Sequence, residues 1–141
     1  AIEISMICPL HGPIWRENIG FFVDKYDKWS SYTPEKQSVM IVYGSVHGHT
    51  ENAAEILAGL LGEKGVKEIA VYNASTTHFS EIVAECFKYS HIVFACATYN
   101  MSLFPPMQIV LHEVAEHNLQ NRTFAFVENK NPLKNLKTIN L

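Results

Sequence analysis

The 141-residue chain has little cysteine, no cluster of basic charge and no long apolar run, and each shortage removes a class of protein. Its three cysteines, Cys8, Cys86 and Cys96, are odd in number, widely spaced and never arranged as C-x-x-C. They imply neither a disulfide framework nor a zinc site, and a reducing cytoplasm is the expected compartment. Lys and Arg total 11 against 14 Asp and Glu, giving a net charge of −3. With no basic block to neutralise phosphates, a nucleic-acid surface is not expected. No apolar stretch reaches membrane-spanning length, and the start Ala1-Ile-Glu-Ile4 lacks the regions of a signal peptide, so no membrane partner is expected. The two familiar glycine-rich phosphate loops are missing as well. The fingerprint G-x-G-x-x-G is absent, and from Gly44 the Walker pattern would need Gly at His49 followed by Lys. No Ser-His-Asp or Cys-His set can be assigned from spacing. His112-Glu-Val-Ala-Glu-His117 has one residue too many for the zinc-protease H-E-x-x-H, so its histidines belong to a solvated helix surface.

What is present suffices for one cored domain with an appendage: the composition is 48% hydrophobic. The chain is organised around Val39-Met-Ile-Val-Tyr-Gly-Ser-Val-His-Gly-His-Thr50. Val39 to Tyr43 is continuously apolar, as a strand buried on both faces requires. Ser45, Gly48 and Thr50 then offer hydroxyl donors, a residue without Cβ and a helix N-terminus, which together suit a phosphate. The helix is predicted from about Glu51 to Lys64, with Ala54, Leu57, Ala58 and Leu61 on one face and Gly65 ending it.

Before this turn, Ile2, Ile4, Met6 and Ile7 suggest a strand, and Glu17 to Trp29 a short amphipathic helix with no evident partner. Ser30 to Gln37 has the composition of a linker. After it come a strand at Lys67 to Tyr72, a helix with Phe79, Ile82, Val83, Cys86 and Phe87 on its apolar face, and a strand His91 to Ala97. A loop, Thr98 to Met107, leads into a third helix, and Arg122 to Glu128 and Leu136 to Asn140 are further strands. Alternating strands and helices predict an α/β doubly wound parallel sheet, whose ligands sit at the carboxyl ends of the strands. The loops at Ser45 and Thr98 both fall at such ends. One stretch fails a geometric test: the seven residues from Asn129 to Asn135 are too few for a parallel crossover, and a missing loop and helix near 129–135 is the expectation.

Ser45-Val-His-Gly48-His-Thr50 resembles the flavodoxin phosphate loop S/T-x-x-G-x-T. With His11-Gly-Pro-Ile-Trp-Arg16, Tyr26-Asp-Lys-Trp-Ser30, Thr98-Tyr-Asn100 and Leu103-Phe-Pro-Pro-Met107, in this order and spacing, the chain resembles a fragment of a flavodiiron protein. In that family a metallo-β-lactamase-like diiron domain precedes a flavodoxin-like FMN domain. The resemblance implies that residues 1–37 are the tail of the diiron domain and its linker. Residues 38–141 would then be a flavodoxin-like domain of strand order 2-1-3-4-5. It further implies that Ser45, Val46, His47, Gly48, His49 and Thr50 hold the FMN phosphate. Thr98, Tyr99, Asn100, Met101, Ser102, Leu103 and Phe104 would flank the isoalloxazine, and a third loop would begin near Glu128 and Asn129.

His11 falls where the family has a histidine ligand to iron, but the other ligands are absent, so this chain alone lacks a diiron active site. His47 and His49 replace the aromatic and amide residues common in the loop, and Met101 and Ser102 stand where glycines are frequent. The resulting expectation is an FMN-binding electron-transfer domain of a flavodiiron-type oxidoreductase whose parent reduces oxygen or nitric oxide. Rubredoxin or a flavin or iron-sulfur reductase would be its donor, and a head-to-tail homodimer its assembly. The alternative is a degenerate, cofactor-free domain acting as a docking or structural module.

Overall fold

The computed structural model describes residues 2–128 and 136–140, the latter stretch and residue 128 through the backbone alone. Strands β1 (Lys36–Gly44), β2 (Ile69–Asn73) and β3 (Tyr89–Cys96) lie side by side in one five-stranded sheet, with β1 between the other two. A short hairpin follows, β4 (Thr98–Tyr99) and β5 (Ser102–Leu103), before β6 (Thr123–Glu128) and β7 (Leu136–Asn140) complete the sheet. Its order is β2-β1-β3-β6-β7, which in a count of the five long strands is the expected 2-1-3-4-5. The first four strands run parallel.

The last does not. β7 lies antiparallel to β6, with Phe124 opposite Ile139 and Val127 opposite Leu136. The all-parallel expectation is corrected here, and the physical reason is length: an antiparallel neighbour needs no crossover, so seven intervening residues suffice.

Helices α2 (His49–Glu63), α3 (Phe79–Cys86) and α4 (Pro105–Glu116) cover the sheet. Residues alternate between its faces. Met40, Val42, Ile92, Phe94 and Phe124 face α3 and α4, where they meet Ile82, Val83, Cys86, Met107, Val110 and Val114. Ile41, Tyr43, Val93 and Ala95 face α2 and its Ala54, Leu57, Ala58 and Leu61. Both faces of β1 and β3 are therefore dry, which is why their sequence is continuously apolar. Cys86 lies wholly inside, and burial pushes its thiol up to about 12 against the pull of the Arg122 charge. It is a packing residue, as its place on the apolar face of α3 implied.

The amino-terminal stretch behaves differently. No strand forms over residues 2–7, apart from a single antiparallel bridge between Ile7 and Trp15, and Ile2, Ile4 and Met6 are exposed. Alternation alone cannot make a strand where there is no sheet edge to pair with. Helix α1 (Ile19–Ser30) forms close to the expected place but buries none of its residues. It is anchored through Glu35: the carboxylate accepts from Lys25 Nζ and from Trp29 Nε1, the latter at 2.7 Å. Burial pushes the Glu35 carboxyl up, but the bonds from Lys25 and Trp29, with the Lys25 and Lys88 charges, outweigh it and hold the carboxyl below its ordinary 4.5. A depressed carboxyl contributes stability that is complete above that value and disappears as the pH falls through the folded-state value. Glu35→Gln is therefore expected to loosen α1 at neutral pH, giving faster proteolysis within residues 19–34. The difference from the parent should vanish in acid well below pH 4.5, and a difference that persists there would refute the electrostatic anchor.

Candidate functional site

The carboxyl ends of β1 and β3 lie side by side, with Gly44 opposite Cys96 in register. Ala97 N–H donates to Gly44 O at 3.0 Å, and Phe104 N–H donates to Ala97 O at 3.2 Å, so the two loops leave the sheet stitched to one another. Gly44 is needed at that seam because a Cβ there would stand 3.0 Å from the Phe104 ring and 3.5 Å from Met107 Cβ. Between the loops is a cavity of about 360 Å³ lined by Ser45, Val46, His47, His49, Thr50, Ala97, Thr98 and Tyr99.

The first loop has the features of an anion cradle. Gly48 sits at φ +82°, a conformation that residues with a Cβ rarely adopt, and it starts α2 without any side-chain cap. The first bond of the helical ladder is Asn52 N–H to Gly48 O at 2.9 Å, so the N–H groups of His49, Thr50 and Glu51 precede the ladder at the positive end of the helix. Ser45 Oγ is buried and has no hydrogen-bond partner. A buried hydroxyl left unpaired in a native fold calls for an explanation, and a ligand oxygen in the adjacent cavity supplies one. Glu51, by contrast, faces the sheet, where its Oε1 accepts from the Tyr43 hydroxyl at 2.5 Å. That bond first, then burial, raises the Tyr43 phenol to about 12.

The second loop is the β4–β5 hairpin, with Asn100 and Met101 both at positive φ (48° and 62°) in its two-residue turn. Such turns favour glycine, and a side chain in this region is strained. Met101 is fully exposed at the tip. Met101→Gly is expected to stabilise the chain by about 0.5–1 kcal/mol, the relieved strain exceeding the added flexibility of the unfolded state. An upward shift of the urea midpoint checks this, and a downward one would show the strain to be absent.

Of the residues singled out from sequence, seven line the cavity: Ser45, Val46, His47, His49, Thr50, Thr98 and Tyr99. Gly48 shapes the turn between them. Asn100, Met101 and Ser102 belong to the hairpin beyond the lining, while Leu103 and Phe104 pack on the core beneath α4. Tyr99 meets Phe104 edge-on, with ring centroids 6.3 Å apart. Glu128 ends β6 opposite Cys96, and Asn129 lies outside the described residues. His11 is exposed ahead of α1, and among the described residues no group of three His, Cys, Asp or Glu is placed to hold a metal. Sequence reasoning missed Ala97, whose small side chain admits the cavity wall. Its only signal was its position between an apolar strand and a polar loop.

Residues 41–139 match the profile of the flavodoxin family. The chain belongs to that family. A protein of Methanocaldococcus jannaschii is 34% identical over 104 residues, covering 74% of this chain and 26% of its own length. The anaerobic nitric oxide reductase flavorubredoxin of Vibrio vulnificus is 27% identical over 114 residues, covering 80% of this chain and 23% of its own. Among solved structures, rubredoxin oxygen:oxidoreductase from Desulfovibrio gigas superposes with a TM-score of 0.79 at 25% identity, over 88% of this chain and 31% of that one. The flavodiiron protein of Giardia intestinalis has a TM-score of 0.81 at 22% identity, over 90% and 31%, a likeness of fold. This flavodoxin domain is thus homologous to flavodiiron proteins and flavorubredoxin, and it spans about a quarter of the length of those curated relatives. Family membership implies a flavin. No helix among the described residues is long and apolar enough to cross a membrane.

Proposed function

We propose that the chain is an FMN-binding electron-transfer domain of a flavodiiron-type oxidoreductase. The observation that carries this reading is the buried, unpartnered Ser45 Oγ, on a residue that lines the cavity between a capless helix N-terminus and the loop after β3. The residues fit the phosphate end of FMN: Ser45 and Thr50 offer hydroxyls, and the start of α2 offers N–H groups and a favourable dipole. Thr98 to Phe104 would flank the planar ring system, with Thr98 and Tyr99 forming the facing wall of the cavity and Phe104 meeting Tyr99 edge-on. When bound, FMN supplies reversible electron transfer. The protein's own part is to position the ring near the surface, exclude water from one side and tune its electronics through Tyr99 and backbone groups. No side chain of the site needs to act as a general acid or base.

The parent enzyme, by likeness to its relatives, would pass electrons from a rubredoxin-type donor or a reductase to a diiron centre that reduces oxygen or nitric oxide. Residues 1–37 would be the tail of that diiron domain, with His11 as one former ligand, and the intact protein would pair head to tail. The shortened link at 129–135 would reflect a lost or omitted crossover helix. Intact mass tests that point, since agreement with 15.9 kDa would exclude an omitted segment.

The competing reading, a cofactor-free docking module, draws on the strained Met101 and on the short link where a third loop is expected. A visible spectrum of the purified protein, followed by FMN titration if it is colourless, separates the two. One FMN per chain, bleaching on reduction, supports electron transfer. No saturable uptake by a folded sample overturns it.

A further inference from the structure

We infer that Tyr43 is a positioning residue: it holds the Glu51 carboxylate to one side of the start of α2, and so keeps one of the chain's own acidic groups out of the anion cradle. The inference rests on the flavin reading above and adds a control on the same site. Glu51 is the third residue of α2 after its N-cap, Gly48. At that position a glutamate can fold back over the first turn and accept from the N-cap N–H, and the positive end of the helix favours its charge. An anion in the cradle competes for the same amide and the same field. The cradle itself is marked independently by the buried, unpartnered Ser45 Oγ. Glu51 is therefore a rival of the ligand, built into the helix that is to receive it.

The rival is engaged elsewhere. Gly48 starts α2 without a side-chain cap, and the side-chain hydrogen bond that Glu51 makes among the described residues is with Tyr43, whose hydroxyl donates to Oε1 at 2.5 Å. Tyr43 is only 7% exposed and belongs to the cluster of Ile41, Ala54 and Val93, so its ring is fixed by packing. The bond to Glu51 first, and burial second, raise the phenol to about 12, which keeps it protonated and a donor at neutral pH. A short bond from a rigid donor to a charged acceptor outweighs an exposed cap at a helix end. The result is visible in the cavity: Glu51 does not line it, and no residue that does is acidic.

Two measurements on the whole chain test this, and one needs no flavin. In the flavin-free protein, amide hydrogen exchange at Gly48, read by NMR, reports whether the carboxylate caps the helix. Tyr43→Phe is expected to slow that exchange about fivefold as Glu51 turns back onto the amide, whereas a general loosening of the fold would speed it. Adding Glu51→Ala should return the exchange to the parent rate. FMN titration should follow the same order, with affinity about fivefold lower in Tyr43→Phe and restored in the double variant. Rescue by a second truncation separates positioning from packing, because a ring that only fills the core would leave the double variant no better than the single one. Unslowed exchange at Gly48 in Tyr43→Phe would overturn the inference whether or not FMN binds. So would slowed exchange with unaltered FMN affinity, since the carboxylate would then be no rival. A parent that takes up no FMN would overturn the flavin reading, and the exchange rates would then decide the role of Tyr43 by themselves.

Discussion

Arg122→Met is expected to lower the unfolding free energy by about 3–5 kcal/mol, enough to threaten the fold of a small domain. Arg122 is only 5% exposed, and the hydrogen bonds of its guanidinium among the described residues all go to carbonyls. Nε donates to Cys86 O at 3.2 Å and Nη2 to Phe87 O at 2.7 Å. Nη1 is shared among Tyr32 O at 2.6 Å, Gln120 O at 3.0 Å and Asn121 O at 3.3 Å. Burial pulls the guanidinium below its usual range, with the Glu35 carboxylate opposing, so the charge is costly where it sits. The carbonyls offset that cost. Two of them close the C-terminus of α3, the negative end of a helix dipole. Another belongs to the segment before β1, and the last two lead into β6. Methionine would fill much of the space and remove the desolvation of the cation, yet five acceptors would lose their donor. Arg122→Lys should recover only part of the loss, since one ammonium cannot span a fork of this width. Urea denaturation with an unchanged slope would give the value. A loss under about 1 kcal/mol would mean that water replaces the guanidinium at little cost.

That residue also marks where the sequence was opaque. The reading placed Arg122 as the first residue of an apolar strand, but the strand begins at Thr123. Three of its five partners are backbone carbonyls 35, 36 and 90 residues away, and a carbonyl leaves no side-chain signature. The strands themselves were legible because both faces of β1 and β3 are covered, so burial is written continuously in Met40 to Tyr43 and Ile92 to Cys96. Helices α1 and α2 were legible from spacing to within a residue or two of their ends, whereas α4 begins at Pro105, inside the stretch read as a loop. The β4–β5 hairpin was not, since its turn is Asn100-Met101 and the strongest hairpin signal would have placed glycine second. Residues 2–7 alternate as a strand would, but pairing is a property of two segments and only Trp15 answers Ile7. For the site, the rule that ligands gather at carboxyl strand ends pointed to both loops, and the structure brings them together around one cavity. The rule could not tell which side chains face inward. Phe104 supports the loop from the core, while Ala97 opens the wall.

Ser45→Ala is expected to move stability and ligand binding in opposite directions. Its hydroxyl oxygen is removed from water and has no partner, so in the flavin-free protein it retains an uncompensated desolvation cost, and alanine would leave the unfolding free energy unchanged or raise it by about 1 kcal/mol. FMN affinity should fall about tenfold or more, because a donor to a charged oxygen is lost in a site that excludes water. Riboflavin, lacking that oxygen, should bind variant and parent alike. Thermal unfolding without flavin and titration with each flavin give the three numbers. Ordinary structural residues cannot produce this pattern, since truncating them lowers stability and any loss of binding follows from the damage. If Ser45→Ala destabilises the flavin-free chain by more than about 1 kcal/mol, the hydroxyl has a structural partner and the anion cradle loses its main support. If stability holds while FMN binding alone weakens, the cost of the unpaired hydroxyl is a feature kept for the ligand, as expected where a fold holds a site ready before the ligand arrives.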